Sequence, residues 1–237
     1  MHASEREYKR PRANLSEQHL TSPSLQASFD QDDAITLHVN PTEHAILAHG
    51  NFISRRSEFF KAVLKKELAE GQTRVIKLPD EDPQVLTHYL SYTYSNCLPT
   101  DIVTADFLGT FPEESDECYQ LLAELYVLGE RLLDETIRGA LIKEILRLAK
   151  LIDKDPKQYH PKGEAVNIIY RGTTASSPAH RLMVNFHVTY GATKWFDSTC
   201  DAGFVLDVVK SLYDKMPGNL QISTLRTSGL EPGDYLS

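Results

Sequence analysis

The pattern of apolar and polar positions predicts short strands in the first half of the chain. Apolar and polar residues alternate from Ala34 to Val39, which is typical of a half-buried strand. His44 to Ala48 follows after a turn and predicts the second strand of a hairpin. Arg74 to Leu78 predicts a third strand, with Val75 and Leu78 turned inward.

Helical spacing occupies the segments between and after these strands. Apolar residues three and four apart from Phe52 to Leu64 predict one amphipathic helix, capped by Asn51 or Ser54 and broken at the Gly that follows Glu70. An acidic stretch that ends in Pro83 predicts the start of the next helix, which covers 84–94. Short strands that alternate with helices indicate an α/β or an α+β unit.

The second half of the chain has helical periodicity throughout. Tyr119 to Lys150 predicts two or three helices, divided at Gly129 and at the step that begins with Asp134. Further helical segments are expected at 165–170 and 179–190, with Pro178 at the first position of the latter. A last helix is expected over 201–216, with these apolar residues on one face: Phe204, Val205, Val208, Val209 and Leu212.

Composition divides the chain into four parts. Residues 1–30 are polar and are expected to form a flexible tail, while 31–152 form the main domain. Within that domain, 99–117 is an acidic, proline-containing insertion that predicts a surface loop. Residues 153–237 form a helical C-terminal extension, and its end is expected to fray. The tail has four basic residues that fit either a solvated tail or a weak nuclear-localisation patch: Arg6, Lys9, Arg10 and Arg12.

Charge and cysteine content exclude several classes of protein. The formal net charge of -8 argues against a nucleic-acid-binding surface, which requires clustered Lys and Arg. The 3 cysteines are widely spaced and odd in number, so no disulfide framework is expected and a reducing compartment is favoured. The polar start has no signal-peptide core, and no apolar run is long enough to span a membrane. We therefore expect a cytoplasmic or nuclear protein, or both.

The residues that could perform chemistry do not form a recognisable motif. There is no phosphate-binding loop, nucleophile elbow or zinc-protease sequence. The spacing of His44 and His49 is not that of metal ligands on a helix, and His160, His180 and His187 have no zinc spacing. The carboxylates of the insertion lack the spacing of a calcium loop. No catalytic residue, cofactor, metal or small-molecule substrate is predicted, and an enzyme is only a distant alternative.

Five short segments occur in the order typical of one family. They are Ala48-His49, the Ser57-Glu58-Phe59-Phe60 element, Val75 to Pro79, Leu90 to Ser95, and Leu121 to Leu133. In this order, between Asp33 and Lys150, they resemble the BTB/POZ family. The resemblance implies an α+β fold with a small three-stranded sheet flanked by a cluster of helices, and a structural role for His49. The insertion and the helical extension are similar to those of filamentous-fungal members.

The resemblance implies a protein–protein interaction module. Some members recruit a cullin-RING ubiquitin ligase through a hydrophobic-x-Glu motif after the Phe-Phe helix, and Leu68-x-Glu70 fits that pattern. A substrate adaptor would then bind a Cul3-type cullin through Phe60, Leu68, Glu70 and Tyr92, and would hold its substrate with the C-terminal half. The alternative for Leu68 and Glu70 is an ordinary solvated helix end.

A second class of function is an oligomeric scaffold without a ligase role. A homo- or hetero-oligomer, or a transcription-associated protein of this family, would use apolar residues near the first strand, with Leu25 and Phe29 as candidates for a dimer interface. The N-terminal dimerisation helix of the long BTB type is not clearly readable here, so a monomer stays open.

Overall fold

A computed structural model describes residues 33–39, 44–104, 114–151, 160–191 and 195–216. Several predictions concern other parts of the chain and lie outside these residues. They are the flexible tail with its basic patch, the two candidate dimer residues Leu25 and Phe29, the middle of the acidic insertion, most of the linker that begins at 153, and the frayed C-terminal end.

Three strands form one mixed sheet. They are β1 (Ala34–Val39), β2 (His44–His49) and β3 (Val75–Leu78), in the order β2-β1-β3. β1 pairs antiparallel with β2 and parallel with β3. The hairpin is confirmed, but the prediction for β3 is wrong in one residue: Ile76 and Leu78 are buried, whereas Val75 is only partly covered. Residues 75 and 78 cannot share a face, because side chains alternate along a strand.

Three short helices replace the single helix predicted after the hairpin. They are α1 (Gly50–Ser54), α2 (Glu58–Val63) and α3 (Ala69–Thr73). Neither Asn51 nor Ser54 is a cap, since both lie inside α1. The cap is Ser57, whose hydroxyl accepts the Phe60 N–H at 3.0 Å and donates to the Leu132 carbonyl at 2.5 Å. This distant carbonyl fixes where α2 begins, and no local spacing reveals it.

The next helix is α4 (Pro83–Ser95), which begins as predicted beside a proline. Asp82 caps it by accepting the N–H groups of Gln84 and Val85 at 2.7 and 3.1 Å. It ends at Asn96, whose φ of 58° lies in the left-handed region that stops a helix.

Two long helices follow, α5 (Glu114–Arg131) and α6 (Glu135–Leu151). The predicted division at Asp134 is confirmed, because its carboxylate accepts the N–H groups of Thr136 and Ile137. Gly129 does not divide the segment, since it lies inside α5. A Cβ at Gly129 would lie 2.7 Å from Cγ2 of Ile137, so this glycine allows α6 to approach closely.

The two ends of the acidic insertion have different structures. The residues from Glu114 onward form the first turn of α5, so the predicted loop is shorter than 99–117. Its beginning is anchored to α6, where Arg147 donates to the Thr100 carbonyl at 2.8 Å and pairs with Glu144 at 2.6 Å. The Thr100 hydroxyl donates to Glu144 at 2.7 Å. These bonds pin the turn that follows α4.

Three further helices lie in the described residues of the C-terminal part. They are α7 (Glu164–Gly172), α8 (Pro178–Tyr190) and α9 (Ala202–Lys215). α7 packs along α5, and α8 packs against α9. The predicted face of α9 is partly wrong: Phe204 and Val208 are buried, whereas Val209 and Leu212 are 42% and 43% exposed. One continuous hydrophobic core extends from the sheet to α9.

Candidate protein-interaction site

The hydrophobic-x-Glu motif lies at the start of the short helix α3. Leu68 is the N-cap residue and its side chain is 43% exposed, while Glu70 lies in the first turn and is partly buried. Within the residues that the structure describes, the Glu70 carboxylate has no hydrogen bond or ion pair. An exposed leucine and an available carboxylate two residues apart provide an apolar anchor and a hydrogen-bond acceptor.

The turn that precedes α3 is held against the helix by hydrogen bonds to its backbone carbonyls. The Leu68 N–H donates to the Lys65 carbonyl at 3.0 Å, and the side chain of Gln72 donates to the Lys66 carbonyl at 3.2 Å. Gly71 makes this packing possible, since a Cβ there would lie 2.0 Å from the Lys65 carbonyl oxygen. Gly71 therefore has a packing role in positioning the motif, rather than the role of helix breaker predicted for it.

Phe60 does not contribute directly to the surface. Its ring is 0% exposed and packs edge-on against Phe59, with 5.3 Å between the centroids. The prediction that Phe60 contacts a partner is therefore corrected. Phe60 is turned toward the core here because Ser57 orients α2 through its hydrogen bond to the Leu132 carbonyl.

Tyr92 is also largely covered. Its side chain is 6% exposed, and the Arg56 guanidinium lies 5.0 Å from the ring centroid in a cation–π contact. Arg56 also donates to the Asn96 side chain, which holds the guanidinium in place. A partner that approaches this surface would therefore contact Arg56 before Tyr92. Of the four predicted partner-binding residues, only Leu68 and Glu70 present substantial surface.

His49 has the structural role that the resemblance implied. Its Nδ1 lies 3.1 Å from the Tyr94 hydroxyl, and its backbone N–H donates to the same oxygen at 3.0 Å. The two rings meet edge-on, with 5.8 Å between centroids. These contacts join the end of β2 to α4.

The three C-terminal histidines lie in an aromatic cluster that spacing arguments did not reveal. His160 stacks on Phe186 and Tyr190, and His187 meets the edge of Trp195 with 5.6 Å between centroids. Burial lowers the pKa of His160, and the neighbouring His187 lowers it further. Burial likewise lowers the pKa of His187, so both imidazoles favour the neutral form.

The described ranges contain neither a metal site nor a membrane-spanning helix. No group of three or more His, Cys, Asp or Glu side chains in those ranges is arranged to hold a metal ion. The helices seen in the described ranges are too short or too polar to cross a membrane.

Comparison with known families identifies the first part of the chain. Residues 25–111 match the family model of the BTB/POZ domain. The match begins before β1 and ends before α5, and the small mixed sheet with its flanking helices is the fold expected of that family. It also covers Leu25 and Phe29, which lie outside the described residues. Residues 25–111 are therefore a BTB/POZ domain, a kind of domain that mediates protein–protein interaction and oligomerisation, and further helices follow it.

Proposed function

We propose that this protein is a substrate adaptor for a cullin-RING ubiquitin ligase and that it binds a Cul3-type cullin. The observation that supports the proposal is the exposure of Leu68 next to the Glu70 carboxylate, which has no partner among the described residues, at the start of a helix whose preceding turn is fixed. The hydrophobic-x-Glu pattern has these residue types at this spacing, and both side chains are accessible.

The energetics require a wider contact than the motif alone. Covering the exposed part of Leu68 contributes about 1 kcal/mol, and a charge-assisted hydrogen bond to Glu70 contributes about 1.5–3 kcal/mol. Micromolar affinity corresponds to about 8 kcal/mol. The surrounding surface must therefore supply the rest, and Arg56 above Tyr92 is one candidate.

The C-terminal helices are the proposed location of the substrate. α9 has an exposed apolar stripe formed by Leu206, Val209 and Tyr213, which continues to Met216 at its C-cap. These side chains recur three and four residues apart, so they align along one side of the helix. An adaptor requires one surface for the ligase and another for the substrate, and this stripe is separate in sequence from Leu68 and Glu70.

A homo- or hetero-oligomeric scaffold, including a transcription-associated one, is the second candidate. It is favoured by β2, which among the described strands pairs only with β1 and has Leu47 74% exposed. An edge strand offers backbone hydrogen-bonding groups to another chain. In that case Leu25 and Phe29, together with β2, would contact a second subunit.

Isothermal titration of the purified protein against the N-terminal region of a Cul3-type cullin tests the adaptor proposal. We expect micromolar or tighter binding that weakens by about tenfold, or ~1.4 kcal/mol, in Glu70→Ala. Glu67→Ala is the matched control, because Glu67 is exposed in the adjoining turn and its replacement removes the same charge. Absence of binding by the folded protein, or equal weakening by both substitutions, would contradict the proposal and favour the scaffold.

Light scattering coupled to size-exclusion chromatography tests the scaffold directly. A scaffold of this type is expected to elute as a stable dimer or larger assembly, and Leu47→Lys, with Leu25→Lys and Phe29→Lys, should shift it toward the monomer. A monomer at all concentrations would contradict the homo-oligomeric form of this alternative.

A further inference from the structure

A groove lies where the C-terminal helices meet the first part of the chain. Its walls are the turn between β3 and α4, the last two turns of α5, and α7, and its volume is about 300 Å³. None of its walls belongs to the turn that holds Leu68 and Glu70. We call it the acidic groove.

The floor of the acidic groove is apolar. Val127 and Leu128 of α5 form one side, and Ile168 of α7 forms the other. The two helices lie unusually close because Gly172 has no side chain: a Cβ there would lie 2.6 Å from both methyl carbons of Val127. The two helices are therefore in close contact where Gly172 meets Val127.

The rim of the acidic groove carries an excess of negative charge. Five carboxylates and two guanidinium groups line it, which leaves three negative charges in excess. Both guanidinium groups already have partners, since Arg131 pairs with Glu81 at 3.1 Å and Arg171 pairs with Glu164 at 3.3 Å.

Three of the carboxylates have no such partner. Over the described part of the chain, no cation pairs with Asp80, Asp82 or Glu124. Partial burial in the wall of the groove raises the pKa of Glu124, and the charge of Asp82 raises it further. A cation between these two carboxylates would oppose this rise in pKa, because opposite charge favours the ionised form.

We propose that the acidic groove binds a segment of a partner protein in which Lys or Arg alternates with large apolar residues. The cationic side chain lies between Glu124 and Asp82, and its apolar neighbour covers Val127 and Ile168. Charge complementarity with the rim selects this chemistry, and the apolar floor distinguishes it from simple attraction to an acidic surface. The site does not depend on the ligase-adaptor proposal, and its test contains no cullin.

The volume sets an expectation for affinity. About 300 Å³ is at the small end of the range for ligand sites, so only a few side chains of the partner can enter. Rim charges mainly affect association and its dependence on salt. We therefore expect a dissociation constant of about 10–100 μM that weakens as salt is raised, because added ions screen exposed charges.

Fluorescence anisotropy with the full-length protein tests the proposal. The probe is a labelled peptide of sequence Gly-Leu-Lys-Leu-Arg-Leu-Lys-Leu-Gly, and the control peptide has Glu in place of Lys and Arg. We expect binding of the basic peptide only, and we expect Glu124→Lys to weaken it at least about tenfold. Lysine at this position would itself form an ion pair with Asp82, so we expect the variant to keep its fold. Circular dichroism checks this.

Glu67→Lys is the matched control for the net charge of the protein. Glu67 is exposed outside the acidic groove, and its replacement changes the charge by the same amount. Equal weakening by both variants would show attraction to the whole acidic protein and would overturn the proposal. Absence of binding by the folded wild type would also overturn it.

The chain's own basic residues provide the last arm of the test. Arg6, Lys9, Arg10 and Arg12 could occupy the same groove, and a variant with all four changed to Gln removes that competitor. If the peptide binds only to this variant, the groove belongs to the chain's own segment and the proposal of a separate partner is overturned. Equal binding by wild type and variant supports a partner in trans.

Discussion

The hydroxyl of Tyr89 on α4 donates a hydrogen bond to the Asp134 carboxylate at 3.1 Å, and both side chains are 0% exposed. The other carboxylate oxygen of Asp134 caps α6 through two backbone N–H groups. One buried carboxylate thus connects the helix that follows β3 with the corner between α5 and α6. Burial raises the pKa of Tyr89, and the neighbouring carboxylate raises it further, so the phenol stays protonated as the donor.

Tyr89→Phe should lower the free energy of unfolding by about 1–3 kcal/mol, because it leaves a buried carboxylate oxygen without its donor. Asp134→Ala should cost more, since it removes the cap as well. Urea unfolding of both single variants and the double variant measures the coupling. If the two costs simply add, the hydrogen bond contributes nothing to stability.

If the protein binds a cullin as proposed, Gly71→Ala should weaken that binding although Leu68 and Glu70 are unchanged. The new Cβ would clash with the Lys65 carbonyl, so the turn must move, at a cost of about 1–3 kcal/mol. Gly139→Ala is the control, because a Cβ at Gly139 in α6 meets nothing within 4 Å. Titration and thermal unfolding of both variants check this. Unchanged affinity in Gly71→Ala would mean that the turn does not position the motif.

Gly172→Ala should destabilise the packing of α7 on α5 by about 1–3 kcal/mol, since its Cβ would overlap both methyl groups of Val127. Val127→Ala removes those methyl groups, so Gly172→Ala should cost much less in that background. A double-mutant cycle followed by urea unfolding measures the difference. Equal costs in both backgrounds would mean that contact with the Val127 methyl groups is not the source of the destabilisation.

The aromatic cluster of the C-terminal helices should be sensitive to acid. His160 and His187 each have a pKa below the ordinary value of 6.5. At a pH between the lowered pKa and the ordinary one, the unfolded chain therefore binds more protons than the folded chain. The contribution of these two histidines to stability is therefore fully present above pH 6.5 and is lost as the pH falls below that value. The chain's single tryptophan, Trp195, contacts both rings and reports unfolding by its fluorescence.

His160→Phe should reduce this loss, because phenylalanine keeps the stacking on Phe186 and Tyr190 but cannot take up a proton. Urea midpoints at pH ~7.5 and pH ~5.5 give the comparison, with the exposed His44→Gln as control. A variant that loses as much stability as the wild type would show that His160 does not carry the effect.

The sequence was sufficient for the features that depend on local chemistry. Alternation of apolar and polar residues identified β1 and the hairpin, because every second side chain of a half-buried strand is buried and therefore apolar. A proline after Asp82 marked the start of α4, and the capping carboxylate of Asp134 marked the start of α6. Ordered short motifs also identified the BTB/POZ domain, which the family comparison confirms over 25–111.

Only the tertiary structure decided which of those residues are available to a partner. Phe60 and Leu68 are both apolar and lie near helix ends, yet one is wholly buried and the other is exposed. The difference arises from contacts with distant residues, such as Ser57 with the Leu132 carbonyl, which no spacing encodes. The same holds for the acidic groove, whose walls come from three segments far apart in the chain. Local pattern determines which element forms, whereas surface and charge complementarity arise from how the elements pack.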